Sequence, residues 1–405
     1  MHTQLTTVDD RPPARAAADG ASPDDRDARR RCEHALLLLH THRGDPRAEI
    51  EAVLAATPAC VPAHCLRAAH IVGNAESGAH EALAASVAAI EVARPAAGDP
   101  ARRHALAANA WLAGDLAGAL ERYGAIVIDE PQDILALAVA HALDFRLARR
   151  RMLRDRVAQV LPAWNASMPG YASVLAMYAF GLEENGQYRR AEAVARRALE
   201  LDPGHPVALH AIVHVLEMKG SARDGLAFLA ATEPAWAEGT GYSVHLAWHQ
   251  ALFHLDADDP RSALAVYDAR IATAQRSMPA LADASALLWR LQLRGDDVAS
   301  RWQRLAERWE GQSLAGARPF YFAHALMAFA AAGRDAPAER LIEILRGARL
   351  AIPEDALALP LCEALLAFAR RDYPACIEGI ARVRHLAHQC GGSIAQCDLI
   401  HLTLT

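Results

Sequence analysis

From Cys32 onward, apolar residues recur three and four positions apart in runs such as RCEHALLLLHTH and RAEIEAVLAA, which Gly, Asp and Pro interrupt. A 3.6-residue period broken at helix-stopping residues predicts a succession of α-helices. Residues 1–28 differ, being rich in Pro, Asp, Arg, Ala and Gly with almost no large apolar side chains. Ordering them would bury too little apolar surface to offset the entropy lost, so they are expected to form a disordered tail. Residues 29–405 are expected to form one domain that ends in a Gly-Gly-Ser turn and a C-terminal helix.

The helical runs repeat. In ENGQYRRAEAVARRALELDP, residues Gly186, Tyr188, Ala191, Ala198 and Pro203 fall where a 34-residue tetratricopeptide repeat beginning at 172 places its turn Gly, its second-helix Tyr and Ala, and its final Pro. Gly114, Ala119 and Pro131 repeat the pattern from 100. Less complete copies begin at 206 with Gly220, at 319 with Gly333 and Ala338, and near 244 with Ala263. Stacked helix pairs follow, and the expected fold is all-α: a right-handed α-solenoid of degenerate tetratricopeptide-like helix pairs with a concave polar groove.

The first helix of each pair carries the unusual polarity. His210 and His214 are four apart, as are His245 and His249, and side chains at that spacing share one helix face. Glu217 extends the first stripe. In the repeat register, His210, His214, Glu217, His104, Glu183 and His245 all take groove-facing positions. His141 stands near a position where a small packing residue is usual, while Asp283 lies on a later helix and Tyr321 and His324 on another. Gly391 and Gly392 permit a tight turn, with Ser393 a candidate cap for the last helix and Asp398 close by.

Composition narrows the functional classes. Hydrophobic residues make up 53% and aromatics only 6%, which favours close-packed helices over sheets. The net charge of −6, without a recurring basic face, disfavours nucleic-acid binding. Seven scattered cysteines without a CxxC pair read as reduced thiols. No stretch approaches the ~18–20 apolar residues that span a bilayer, and the first residues lack a signal-type apolar core, so a cytoplasmic protein without membrane attachment is expected.

The sequence resembles the tetratricopeptide repeat protein 38 family. The likeness is carried by MYAFGLEENGQY at 177–188, HAIVHVLEM at 210–218, HLAWHQALFHLD at 245–256, DASALLWRLQL at 283–293 and GGSIAQCD at 391–398. It implies an α-solenoid over most of the chain from about residue 35, and no particular reaction. The family has His where this chain has Ile394 and Arg where it has Cys397. Losing that Arg removes a planar, permanently charged anion clamp. Cys397 is expected to be a buried, inert thiol rather than new chemistry beside Asp398.

The residues leave three readings open. In the first, the groove is a pocket for a small-molecule ligand, and an enzyme acts there by acid/base or metal-assisted chemistry through His210, His214, Glu217, His245 and His249. His104, His141, Glu183, Asp283, Tyr321, His324, Ser393 and Asp398 would line it. The HxxxH pairs could hold zinc, iron or manganese, although HExxH is absent, and a Ser393 triad lacks a GxSxG elbow. In the second, the chain is a non-catalytic adaptor that binds a peptide or protein partner. In the third, the histidines only hold neighbouring repeats in register. The first is the leading expectation, with a homodimer as a further candidate association.

Overall fold

The computed structural model describes residues 23–405 apart from 77, 97, 276, 315–316 and 348–355. Among the described residues there are twenty-one α-helices and no strand, only an isolated bridge between Arg43 and Thr240. The first helix, Pro23–Thr41, begins inside the expected tail. Its exposed start is supported by a charge pair one turn apart, Asp27 with Arg31 at 3.0 Å. The remainder of that tail lies outside the described residues.

Twenty of the helices run as pairs, and successive helices pack on one another as an α-solenoid requires. The predicted repeats fall on such pairs: Pro100–Leu112 with Leu116–Asp129, Tyr171–Glu183 with Tyr188–Leu201, Pro206–Met218 with Ala222–Trp236, and Pro319–Ala331 with Asp335–Gly347. Between the paired helices a residue adopts a left-handed conformation, and between the first two both His42 and Gly44 do. At Gly186, φ is +71°, which a glycine reaches without the clash a Cβ would bring. Where no glycine is present the turn survives at Ala75, Ala148, Asp258 and Arg371, all with positive φ.

Small residues let the helices approach closely. Ala176, Ala179, Ala191, Ala195, Ala198, Ala208 and Ala211 have no exposed surface at the junction between two large apolar cores, one over residues 28–177 and one over 209–400. Trp248 and Trp289 are fully buried in the second core, and the Trp289 indole N–H donates to Thr403 Oγ1 at 3.0 Å.

Both ends of the described chain return to the concave side. After the first helix, Gly44 N–H donates to Gly239 O at 2.9 Å, Gly241 N–H donates to His42 O at 2.8 Å, and Arg43 grips Asp202 with two bonds of 2.8 and 2.9 Å. The last helix, Ile394–Leu402, packs against Met278–Leu293 and Pro206–Met218. Its Asp398 pairs with Arg290, and Arg290 also donates to Ala395 O at 3.1 Å. The groove is thus narrowed from two sides and keeps an inner cavity.

Candidate functional site

Three consecutive first helices build the centre of the site. Tyr171–Glu183 ends in the fully buried Glu183, Pro206–Met218 projects His210, His214 and Glu217, and Ser243–Asp256 projects His245 and His249. The four imidazoles converge. Ring centroids are 4.2 Å apart for His210 and His214, 4.7 Å for His214 and His249, 4.7 Å for His245 and His249, and 4.9 Å for His210 and His245. Phe180 stacks on His210 from below at 5.5 Å, and Trp248 stacks on His245 at 5.3 Å.

Carboxylates hold three of the rings from outside. His214 Nδ1 lies 3.1 Å from Glu183, His245 Nδ1 2.9 Å from Asp283, and His249 Nδ1 2.5 Å from Glu217. A carboxylate accepting the Nδ1–H orients the ring and, in its neutral form, leaves the lone pair on Nε2. The Nε2 atoms of His214 and His249 are buried without a partner, and so are both nitrogens of His210. Each unsatisfied buried polar atom costs about 1–3 kcal/mol, so the cluster carries an unmet demand for a ligand.

Electrostatics separate the rings. Burial and the neighbouring imidazoles push His210 and His249 well below the ordinary histidine range. Burial also acts against the charged form of His214, but the charge and hydrogen bond of Glu183, with Glu184 and Glu217 beyond, hold it up at about 9. Burial raises Glu217, and burial together with the Glu183 charge raises Glu184.

His210 and His245 form part of the wall of a cavity of about 590 Å³, together with His141, Asp283 and Tyr321. Its other walls come from both chain ends, His40–Pro46 on one side and Gly391, Gly392 and Gln396 on the other. Gly392 has φ +78°, and a Cβ there would stand 2.7 Å from the Phe320 ring. The Gly-Gly turn therefore lets the backbone pass against an aromatic wall.

Other expected site residues lie elsewhere. His104 belongs to the front of the solenoid, its Nε2 2.9 Å from Asp133, beside a separate cavity of about 950 Å³. Glu217 and Asp398 face a third cavity of about 540 Å³ with Arg290. Ser393 is buried and caps the last helix, its hydroxyl accepting Gln396 N–H at 3.3 Å while the Gln396 side chain returns the bond, so it is a capping box rather than a nucleophile. His324 is buried beneath Phe320, and its Nδ1 donates to Phe320 O at 2.6 Å. Burial lifts the Cys397 thiol to about 11, consistent with an inert sulfur.

Sequence reasoning overlooked the cavity's two arginines, Arg146 and Arg318, and its aromatic wall of Phe145, Phe180, Tyr242 and Phe320. Arg146 had a signal: it is the last residue of the helix that contains His141. Arg318 and Tyr242 lie just outside predicted helices and carried none.

The tetratricopeptide repeat family matches residues 172–215. Among solved structures, a tetratricopeptide repeat protein from Parabacteroides merdae is similar at 12% identity, covering 74% of this chain and 96% of that one, with a TM-score of 0.35. An APC/C hetero-tetramer of Cut9 and Hcn1 gives 12% identity over 94% of this chain and 73% of that one at 0.44. The Naa15/Naa10 complex bound to HypK-THB gives 14% identity over 90% and 64% at 0.27.

The repeat match overturns the leading expectation. The matched segment includes Glu183, His210 and His214, residues assigned above to acid/base chemistry on a small molecule. A tetratricopeptide repeat is a stacking unit that builds an extended concave binding surface, so the match favours the adaptor alternative over the small-molecule enzyme. Among the described residues, no helix is long and apolar enough to cross a membrane.

Proposed function

We propose that the protein is a tetratricopeptide-type interaction scaffold whose inner cavity takes a carboxylate-bearing segment of a peptide or protein partner. The observation that carries this is Arg146. It lines the cavity with Arg318 and Tyr321, and its Nε is buried without a hydrogen-bond partner. Burial pushes its pKa below the usual arginine range, with Tyr321 acting against that and Arg318 adding to it. A planar cation in this condition is matched by a carboxylate, which accepts two parallel bonds. Phe145, Phe180, Tyr242 and Phe320 offer apolar surface for the side chains beside that carboxylate.

Two finer readings accompany this one. The five ordered motifs support kinship with the tetratricopeptide repeat protein 38 family, and seven free cysteines support a reducing, cytoplasmic setting.

The test is to pan a random peptide library on the purified full chain and measure the enriched peptides by fluorescence anisotropy. Enriched peptides should share an acidic side chain or a free C-terminal carboxylate. Neutralising that group, or substituting Arg146→Ala, should weaken binding at least about tenfold, or about 1.4 kcal/mol. Enriched peptides that bind the folded Arg146→Ala protein as tightly as wild type would remove the basis of the reading. Sedimentation of the same samples reads whether the expected homodimer forms.

A further inference from the structure

We propose that His210, His214, His245 and His249 form a four-imidazole site for one divalent first-row transition-metal ion of the class that prefers nitrogen ligands, with Zn2+ the best fit. The proposal is independent of the carboxylate reading of the cavity.

Convergence is the first ground. One ring nitrogen from each histidine lies within 4.8 Å of those of the other three. Nitrogens bound at ~2.0–2.1 Å to a tetrahedral ion stand roughly 3.4 Å apart, so small ring rotations close the set. Orientation is the second. Glu183, Asp283 and Glu217 take the Nδ1 sides of His214, His245 and His249, which turns the other nitrogen of each ring toward the remaining ligands. Carboxylates placed behind imidazoles in this way fix the ring and raise its basicity as a ligand. Asp283 is itself held by Gln396 at 3.2 Å, which ties the last helix to the site.

Demand is the third ground. His210, His214 and His249 are at least nine-tenths buried, and four of their nitrogens have no partner. A metal ion at the centre uses one nitrogen of each ring at once. A second grouping, Glu183, Glu184 and His214, also converges, but each carboxylate already has a protein partner: Glu183 holds His214 through Oε2, and Glu184 pairs with Arg150 at 3.3 Å and accepts Ile394 N–H at 3.2 Å. The ligand set is all nitrogen, which disfavours the oxygen-seeking Mg2+ and Ca2+. Entry is open because His210 and His245 reach the cavity.

The experiment uses the untagged full chain, stripped with a chelator and titrated with Zn2+, Co2+ or Mg2+. One Zn2+ per chain, a rise in Tm with Zn2+ and visible d–d bands of a tetrahedral nitrogen site with Co2+ are expected, and Mg2+ should give neither. His214→Ala/His249→Ala should abolish binding with the far-UV circular dichroism unchanged. Glu217→Gln, which keeps the side-chain shape, should weaken Zn2+ binding about 10–100-fold. Absence of Zn2+ binding and of Co2+ bands in the wild type, or equal binding by the folded double variant, would overturn the proposal. If the double variant does not fold, Glu217→Gln decides, and an unchanged affinity overturns it.

Discussion

The front of the solenoid and its centre use the same helix pairs and the same left-handed turns, yet they treat groove-facing polar residues differently. At the front, His104 meets Asp133, which also caps the next first helix by accepting Ala136 N–H at 2.8 Å. A few residues on, the fully buried Asp144 is held by Arg156 through bonds of 2.7 and 3.3 Å. His104, Asp133, Asp144 and Arg156 there pair locally two by two, although His104 Nδ1 and the Tyr123 hydroxyl are left without a partner. At the centre, His210, His214, His245 and His249 face one another, and their carboxylates stand behind them. A polar groove position becomes a candidate site only when several such groups converge with hydrogen-bonding capacity left over.

The comparison can be broken by showing that the two regions depend on each other. The largest effect is expected at Arg156. Substitution by Ala leaves Asp144 buried without its cation and should lower the unfolding free energy by about 3–5 kcal/mol in urea titrations. Zn2+ affinity of the remaining folded protein should be unchanged. A fall in affinity parallel to the loss of stability would mean that the front repeats set the geometry of the central cluster.

Acidification should act next. Burial holds His40 down at about 4, His141 at about 3 and His324 at about 4, against an ordinary value near 6.5. Neighbouring cations add to that burial, His42 at His40, Arg156 and His42 at His141, and Arg290 at His324, while Asp202 at His40 and Asp283 at His324 oppose it without outweighing it. The unfolded chain therefore takes up these protons first as pH falls, and stability is lost between about pH 7 and pH 4. The loss is on the order of 1–3 kcal/mol for each histidine. Thermal melts across this range check it, and replacing His141 by Leu should flatten part of the slope. A Tm independent of pH would contradict the burial of these rings as neutral groups.

The smallest effect distinguishes the regions most sharply. His104→Ala removes the bond to Asp133 and should cost about 1–2 kcal/mol with no change in Zn2+ or peptide binding. A change in either binding measurement would give the front histidine a part in the central site.

Much of the scaffold was legible in the sequence because it is local. Gly114, Gly186, Gly220 and Gly333 marked turns that the structure places at positive φ, and the pairs around them follow from the 3.6-residue period. Turns at Ala75, Ala148, Asp258 and Arg371 carried no glycine and could not be read this way. Ser393 was legible as a cap because its partner Gln396 is three residues away. The distribution of the candidate site was less legible. His104, Glu183 and His210 occupy groove positions by register, but one meets a helix cap, one lies behind the imidazoles and one faces the cavity. Arg146 and Arg318 were not legible as cavity residues because the role of an arginine depends on which groups the fold brings to it.

The sequence alone determined the helices, their pairing and the sharing of a face by His210 with His214 and by His245 with His249, since residues four apart on a helix must point the same way. Only the tertiary structure decided what those faces meet. Glu183 reaches His214 across 31 residues, Glu217 reaches His249 across 32, and Asp283 reaches His245 across 38, each from a neighbouring first helix. The groove is narrowed by contacts across still longer separations, 159 residues for Arg43 with Asp202 and 108 for Arg290 with Asp398. Those meetings depend on the angle at which each helix pair stacks on the next, which is set by the packing of alanine-rich surfaces along the whole solenoid and by no single stretch of the chain.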